Sequence, residues 1–244
     1  MPYSVPGVPP ALDHCAACGA TLGNSYFALD GRPERYCATC MHEQQRCSGC
    51  GAPVGPRHWS LHDNRVLCAR CHLLAIYDPG EASALFTATV GAVEQQLGLK
   101  LRVGVVFRLA DVPALARLRA LGGTSPDNEQ VLGIYQRHGA LRVIYVLYGL
   151  PKLTFRTTVA HEYAHAWQGE NCPLLEDDVL REGFAEWVAY HHLRFLGCTR
   201  AAEDMLNSNH PYRPMFDVVL AIEQQRGVQG VIAHILAVGR GNRV

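Results

Sequence analysis

The sequence predicts a two-part fold: a small module of two zinc knuckles on β-hairpins, then a larger α+β domain. Three observations carry this. Eight of the ten cysteines lie between Cys15 and Cys71, every one in a C-x2-C pair. Beyond residue 78 cysteines nearly vanish, and apolar residues recur at helix and strand spacing instead. Within that second region "TVAHEYAHAW" (158–167) sets two histidines four apart, with a glutamate directly after the first. The boundaries read as a tail over 1–14, the cysteine module over 15–77 and the α+β domain over 78–244.

The cysteine pairs are Cys15/Cys18, Cys37/Cys40, Cys47/Cys50 and Cys68/Cys71, separated by 18, 6 and 17 residues. Two thiolates two residues apart grip one tetrahedral zinc, and a second pair some fifteen to twenty residues on completes the shell. The economical assignment is sequential, four cysteines to each of two structural zinc ions. A glycine follows Cys18 and Cys50, which lets the backbone turn tightly under the metal and aim amides at the sulfurs. "YFALDGRPERY" and "HWSLHDNRVL" read as hairpins turning at Asp30-Gly31 and Asp63-Asn64. Eight thiolates fill both sites, so His14, His42, His58, His62 and His72 are expected at the surface or beside the ligands. Cys172 and Cys198 stand alone as free thiols.

Composition narrows the function class. With 48% apolar and 18% charged residues in a 244-residue chain, a substantial core can form. Lysine plus arginine equals aspartate plus glutamate, and residues 1–78 hold six arginines, no lysine and six acidic residues. That is no footprint for nucleic acid or an anionic membrane. No run approaches the roughly 18–20 apolar residues of a membrane span. "MPYSVPGVPPALDH" lacks the basic start and apolar stretch of a secretory signal, so the expected location is the cytoplasm.

In the second region "EASALFTATVGAVEQQL" (81–97) predicts a helix. "LRVGVVFRL" (101–109) predicts a strand, and "VPALARLRAL" (112–121) a helix entered through proline. "GGTSPDN" is a loop. The run from 129 to 149 predicts a hairpin turning at His138-Gly139. Helices follow over about 153–169 and 177–196, and "HPYRP" breaks the chain before one or two closing helices.

On the first of these helices His161 and His165 share a face and can aim at one ion, with Glu162 set beside it as a base for activated water. Small and apolar neighbours suit a buried site. A catalytic zinc needs three protein ligands and an open position. Glu182, with sixteen residues between it and His165, supplies the third; Glu176, Asp177, Asp178 and Glu186 compete for the role. Glu186, one turn after Glu182, is placed to accept the free ring N–H of either histidine. Gly183 lets the two site helices approach closely. The strand over 141–148 is expected to align an extended substrate. Tyr148, Tyr190, His191, His210 and Tyr212 are unranked candidates for stabilising an oxyanion.

The cysteine module resembles the LIM domain, departing from it at Cys37, where histidine is usual, and in the six residues after Cys40, where two are usual. "VIYVLYGLPKLTFRTTVAHEYAHAW" (143–167) resembles the segment entering the active site of the DA-one family of LIM-bearing zinc peptidases. The shared portions are "VLYGLP", the lead into "AHE", and "HAW" after the second histidine. That family has paired glutamates before a glycine; the matching triplet here is Arg181-Glu182-Gly183, so the ligand role carries to Glu182 alone. The resemblance implies a zincin-like metallopeptidase domain of the gluzincin type, acting as an endopeptidase on protein substrates. It also implies activation by ubiquitin through helices ahead of the LIM region. The fourteen residues before Cys15 are proline-rich and give that route no support. Two other readings stay open: a LIM-type adaptor with an inert third zinc, and a non-peptidase zinc hydrolase.

Overall fold

The computed structural model describes residues 13–29, 32–121, 131–208 and 210–241. The Asp30-Gly31 turn, the 122–128 loop and the tail before Asp13 lie outside them. The chain divides into two compact units, one reaching to Ala75 and including Gly149–Pro151, the other holding the remaining residues from Ile76 on.

The first unit uses one plan twice. β1 (Phe27–Ala28) pairs antiparallel with β2 (Arg35–Tyr36), and α1 (Ala38–Glu43) follows. β3 (His58–Ser60) pairs antiparallel with β4 (Val66–Cys68), and α2 (Ala69–Leu74) follows. Each short helix starts at a cysteine, Cys37 and Cys68 being the two N-caps. The second hairpin turns at Asp63-Asn64, where Asn64 takes a left-handed φ of 66° that asparagine tolerates well. The core of the first half is small, with Ala17, Tyr36 and Ala52 gathered round Cys15 and Cys40. So little apolar burial leaves metal as the main source of order.

The second unit places a three-stranded sheet beside a helical layer. α3 (Pro79–Leu97) starts with Asp78 capping the Glu81 amide and ends at Gly98 in the left-handed region. β5 (Val106–Ala110), α4 (Val112–Leu121), β6 (Gly133–His138) and β7 (Leu141–Leu147) follow. The strand expected over 101–109 begins only at Val106. Ahead of it, the Arg102 amide goes to Glu170 Oε1 at 2.7 Å.

The sheet order is β5-β7-β6, with β7 parallel to β5 and antiparallel to β6. This corrects one expectation. The strand over 141–148 is central, its backbone consumed on both sides, and has no free edge for a substrate. The strand with an open edge towards the histidine helix is β6.

That helix is α5 (Lys152–Asn171), followed by α6 (Asp178–Phe195), α7 (Thr199–Leu206) and α8 (Arg213–Gly239). α7 was not foreseen, and the single closing helix breaks at Gly227, where φ is 69° and ψ 175°. α5 is buried almost all round: Phe155, Val159, Ala160, Ala164 and Ala166 are fully enclosed, and Tyr163 nearly so. Its Tyr163 hydroxyl lies 2.7 Å from Glu94 Oε1 and 3.0 Å from the Leu99 carbonyl, tying α5 to α3. Gly183 does permit a close approach, but of a different pair of helices. A Cβ there would lie 2.2 Å from the Met215 carbonyl oxygen, so α6 meets α8 at this point.

α5 and α6 run antiparallel, and at their far end Arg156 Nε donates to His192 Nε2 at 3.3 Å. His192 is wholly buried; burial, then the neighbouring Arg156 charge, holds its pKa down to about 4 from 6.5. An unfolded chain takes up a proton between those values that the folded one refuses. Stability therefore falls as pH drops from 6.5 to 4, by about 3 kcal/mol from this group. His192→Gln keeps the acceptor for Arg156 and does not titrate. Denaturant unfolding of the two proteins at pH 7 and pH 4 should show a smaller acid loss in the variant.

Candidate metal centres and the cleft

Among the described residues three groups of side chains converge as metal ligands do: Cys15, Cys18, Cys37 and Cys40; Cys47, Cys50, Cys68 and Cys71; and His161, His165 and Glu182. Within each, the donor atoms all lie within 4.8 Å of one another.

In the cysteine groups, Sγ of Cys18 and Cys37 are 3.9 Å apart, and those of Cys50 and Cys68 are 3.8 Å apart. A tetrahedral zinc with bonds of about 2.3 Å puts its sulfurs about 3.8 Å apart, whereas a disulfide needs about 2.05 Å. The spacing fits a metal, and all ten cysteines are free. Backbone amides support the thiolates, from Cys37 to Cys15 Sγ at 3.3 Å and from Cys68 to Cys47 Sγ at 3.2 Å. Gly19 and Gly51 have the expected left-handed φ, 77° and 68°. Their amides, however, donate to the Cys15 and Cys47 carbonyls rather than to sulfur. Arg32, from the first half, reaches Cys68 and Cys71 Sγ in the second, both at 3.7 Å. His42 packs edge-on to Phe27, and His72 stacks on Trp59. These two cysteine clusters form a LIM-like pair of zinc-binding sites.

The third group is assembled by α5 and α6. His161 Nε2 and His165 Nε2 are 3.0 Å apart, and Glu182 Oε2 lies 3.5 Å and 3.3 Å from them. The other ring nitrogens decide what this triangle needs. His161 Nδ1 lies 3.0 Å from Glu186 Oε1, which can only accept from it when ionised. His165 Nδ1 lies 3.0 Å from Gln168 Oε1, whose orientation is fixed because Gln168 Nε2 donates to the Arg181 carbonyl at 3.0 Å. Both Nδ1 atoms therefore carry the proton, and both Nε2 lone pairs face a carboxylate oxygen and each other. One extra proton serves one edge of that triangle; a cation at its centre serves all three. Zinc bonds of about 2.0–2.1 Å space such ligands about 3.3–3.4 Å apart, close to what is found.

The acids behave accordingly. Burial works against charge on Glu182 and Glu186, yet the neighbouring histidines hold both below the ordinary carboxylate range. Burial raises the pKa of Glu162, opposed by the two histidines and by the Tyr135 amide, which donates to Glu162 Oε2 at 2.8 Å. Tyr135 belongs to β6. The strand can come this near because residue 133 is glycine, where a Cβ would lie 2.6 Å from Thr158 Cγ2 and 2.8 Å from Glu162 Cγ.

These residues line a cleft of about 940 Å³ between β6 and the helices α5, α6 and α7. Of the five oxyanion candidates only His210 and Tyr212 line it; the Tyr212 ring lies nearly parallel to that of His161, 6.1 Å away. His191 instead lies 3.1 Å from Glu223 Oε2. Among the rival third ligands, Glu186 is engaged by His161, Asp177 caps α6 through the Val179 and Leu180 amides, and Asp178 pairs with Arg181. Gln168, Tyr135 and Gly133 were missed from sequence. Gln168 alone left a trace, since it stands three residues after His165 on the same helix face. Gln168→Leu is expected to weaken zinc binding at this site about 10- to 100-fold, read by competition with a chromophoric chelator. Unchanged affinity would show that the amide orients nothing.

No family model matches the chain, and no solved structure does. Two curated proteins are similar to it. "LIM domain-containing protein HDR3" of Oryza sativa subsp. japonica is 26% identical over 169 residues, 55% of this chain and 34% of that protein. "Protein DA1" of Arabidopsis thaliana is 25% identical over 196 residues, 66% and 36% of the two chains. The similarity supports a DA1-like LIM-domain relationship. The chain spans about a third of the length of these relatives. No helix among the described residues is long and apolar enough to cross a membrane.

Proposed function

We propose that the chain is a zinc-dependent endopeptidase that hydrolyses peptide bonds in protein substrates, with its LIM-like module serving protein contact or regulation. The observation that carries this is the triangle of three lone-pair donors, opening on a cleft with a buried glutamate beside it. A structural site has no use for that glutamate. Bound zinc would supply Lewis acidity towards water and the scissile carbonyl. His161, His165 and Glu182 would hold it. Glu162 Oε1 would take a proton from the attacking water and return it to the leaving amine, since Oε2 is engaged by Tyr135. The open edge of β6 offers backbone groups to an extended substrate. His210 and Tyr212, which line the cleft, would donate to the oxyanion.

The test is a zinc-loaded digestion of a mixed peptide library, with new termini read by mass spectrometry. New termini from the native chain and none from Glu162→Gln support the reading. A library left intact by both proteins, with partner binding through the cysteine module retained, makes the chain an adaptor. Cleavage confined to non-peptide amides makes it a different hydrolase.

A further inference from the structure

The cleft is polarised along α5. Because α5 and α6 are antiparallel, Gln168 meets Arg181 at one end while Arg156 meets His192 at the other. The end beyond His161 is lined by Leu153, Leu193, Ala201 and Met205, none of which carries charge. The end beyond His165 holds two arginines. Arg137, exposed on β6, donates to the Gly139 and Gly169 carbonyls, and no carboxylate among the described residues comes within 4.0 Å of it. Arg181 is 42% exposed and pairs with Glu182 Oε1 at 3.3 Å and Asp178 Oδ1 at 2.8 Å. Asp178 is itself 68% exposed, so solvent screens its contribution.

The acids of the cleft are already committed. Glu182 faces the two histidines and Arg181, Glu186 faces His161, and Glu162 accepts from the Tyr135 amide. Among the described residues no carboxylate there is left to meet a cationic substrate side chain, whereas Arg137 has only backbone carbonyls. A divalent cation in the triangle adds two further positive charges. Among the described lining residues Arg119, Arg137 and Arg181 balance Glu162, Glu182 and Glu186, so the cation leaves the cleft net positive, and a positive cleft with low-dielectric walls selects the opposite sign in what enters it.

We propose that the cleft selects an extended peptide with acidic side chains at the Arg137/Arg181 end and an apolar side chain at the Leu193/Met205 end. This rests on the peptidase reading for its setting, but it is a statement about binding and is tested without hydrolysis. The zinc-loaded full-length Glu162→Gln protein is titrated with three fluorescent peptides of one length. They share an apolar centre and differ in an aspartate-rich, asparagine-rich or lysine-rich amino-terminal half; a second set reverses the halves.

Anisotropy should show the acidic peptide of one set binding at least about 10-fold tighter than the neutral one at low salt. The advantage should shrink as salt rises, as screening requires. Arg137→Gln with Arg181→Gln should abolish it. Arg137→Glu should transfer the preference to the lysine peptide, a gain that misfolding cannot produce. Equal binding of all three peptides, binding of none, or an unshifted preference in Arg137→Glu overturns the proposal. Cleavage of peptides by native protein without charge preference sinks this inference and leaves the peptidase reading standing. Acid-selective binding with no cleavage does the reverse.

Discussion

The Glu162→Gln protein is expected to bind three zinc ions per chain and to hydrolyse peptides roughly a thousandfold more slowly than the native one. Glutamine is nearly isosteric, and its amide oxygen can still accept from the Tyr135 N–H that holds Oε2 now. The fold, the β6 contact and the three-ligand triangle should all survive. What would be lost is the basicity of the atom proposed to act on the attacking water. His161→Ala is the complementary variant: one ligand is gone, the zinc count should fall to two, and the cysteine sites should keep theirs. Metal analysis alongside a peptidase assay separates the two effects. Hydrolysis within tenfold of native in Glu162→Gln would remove that residue from the chemistry.

Chelation of zinc from the cysteine clusters is expected to unfold the first unit while the second keeps its helices. A structural zinc contributes on the order of 10 kcal/mol to a small module, and this one has few apolar side chains to set against its loss. Without the ions, eight thiols would face one another at distances that suit a metal and nothing else. Hydrogen exchange gives the readout. After chelator treatment, amides in β1 to β4 should exchange at unprotected rates, and those of α5 and α6 should remain slow. Protection persisting in the four short strands with zinc fully removed would show that their hairpins and small core suffice.

The parts legible in the sequence are those whose partners are close along the chain. A C-x2-C pair, or two histidines four apart, fixes its own geometry through local backbone, so spacing alone places the ligands on one side. Glu186 was legible for the same reason, one turn after Glu182. Gln168 was not assigned, because its role depends on a carbonyl thirteen residues away across a loop. Nor could the pattern of 129–149 say which strand of the hairpin is central. Alternating apolar residues announce a strand, and β7 wins the inner place only through its parallel partner β5, some forty residues earlier. The same gap misassigned Gly183: the sequence marks a close approach and does not name what approaches.

The free margin of β6 carries a hazard as well as an opportunity, since unpaired backbone on a sheet border invites other copies to stack against it. Here that border is recessed in a trough, one of its amides is plugged by Glu162, and Arg137 and His138 stand at its far tip. A single loose strand of polypeptide can lie along such a border, whereas a folded sheet brings its own neighbours with it. The geometry that would admit a frayed tail or a surface loop thus also guards the molecule against self-association.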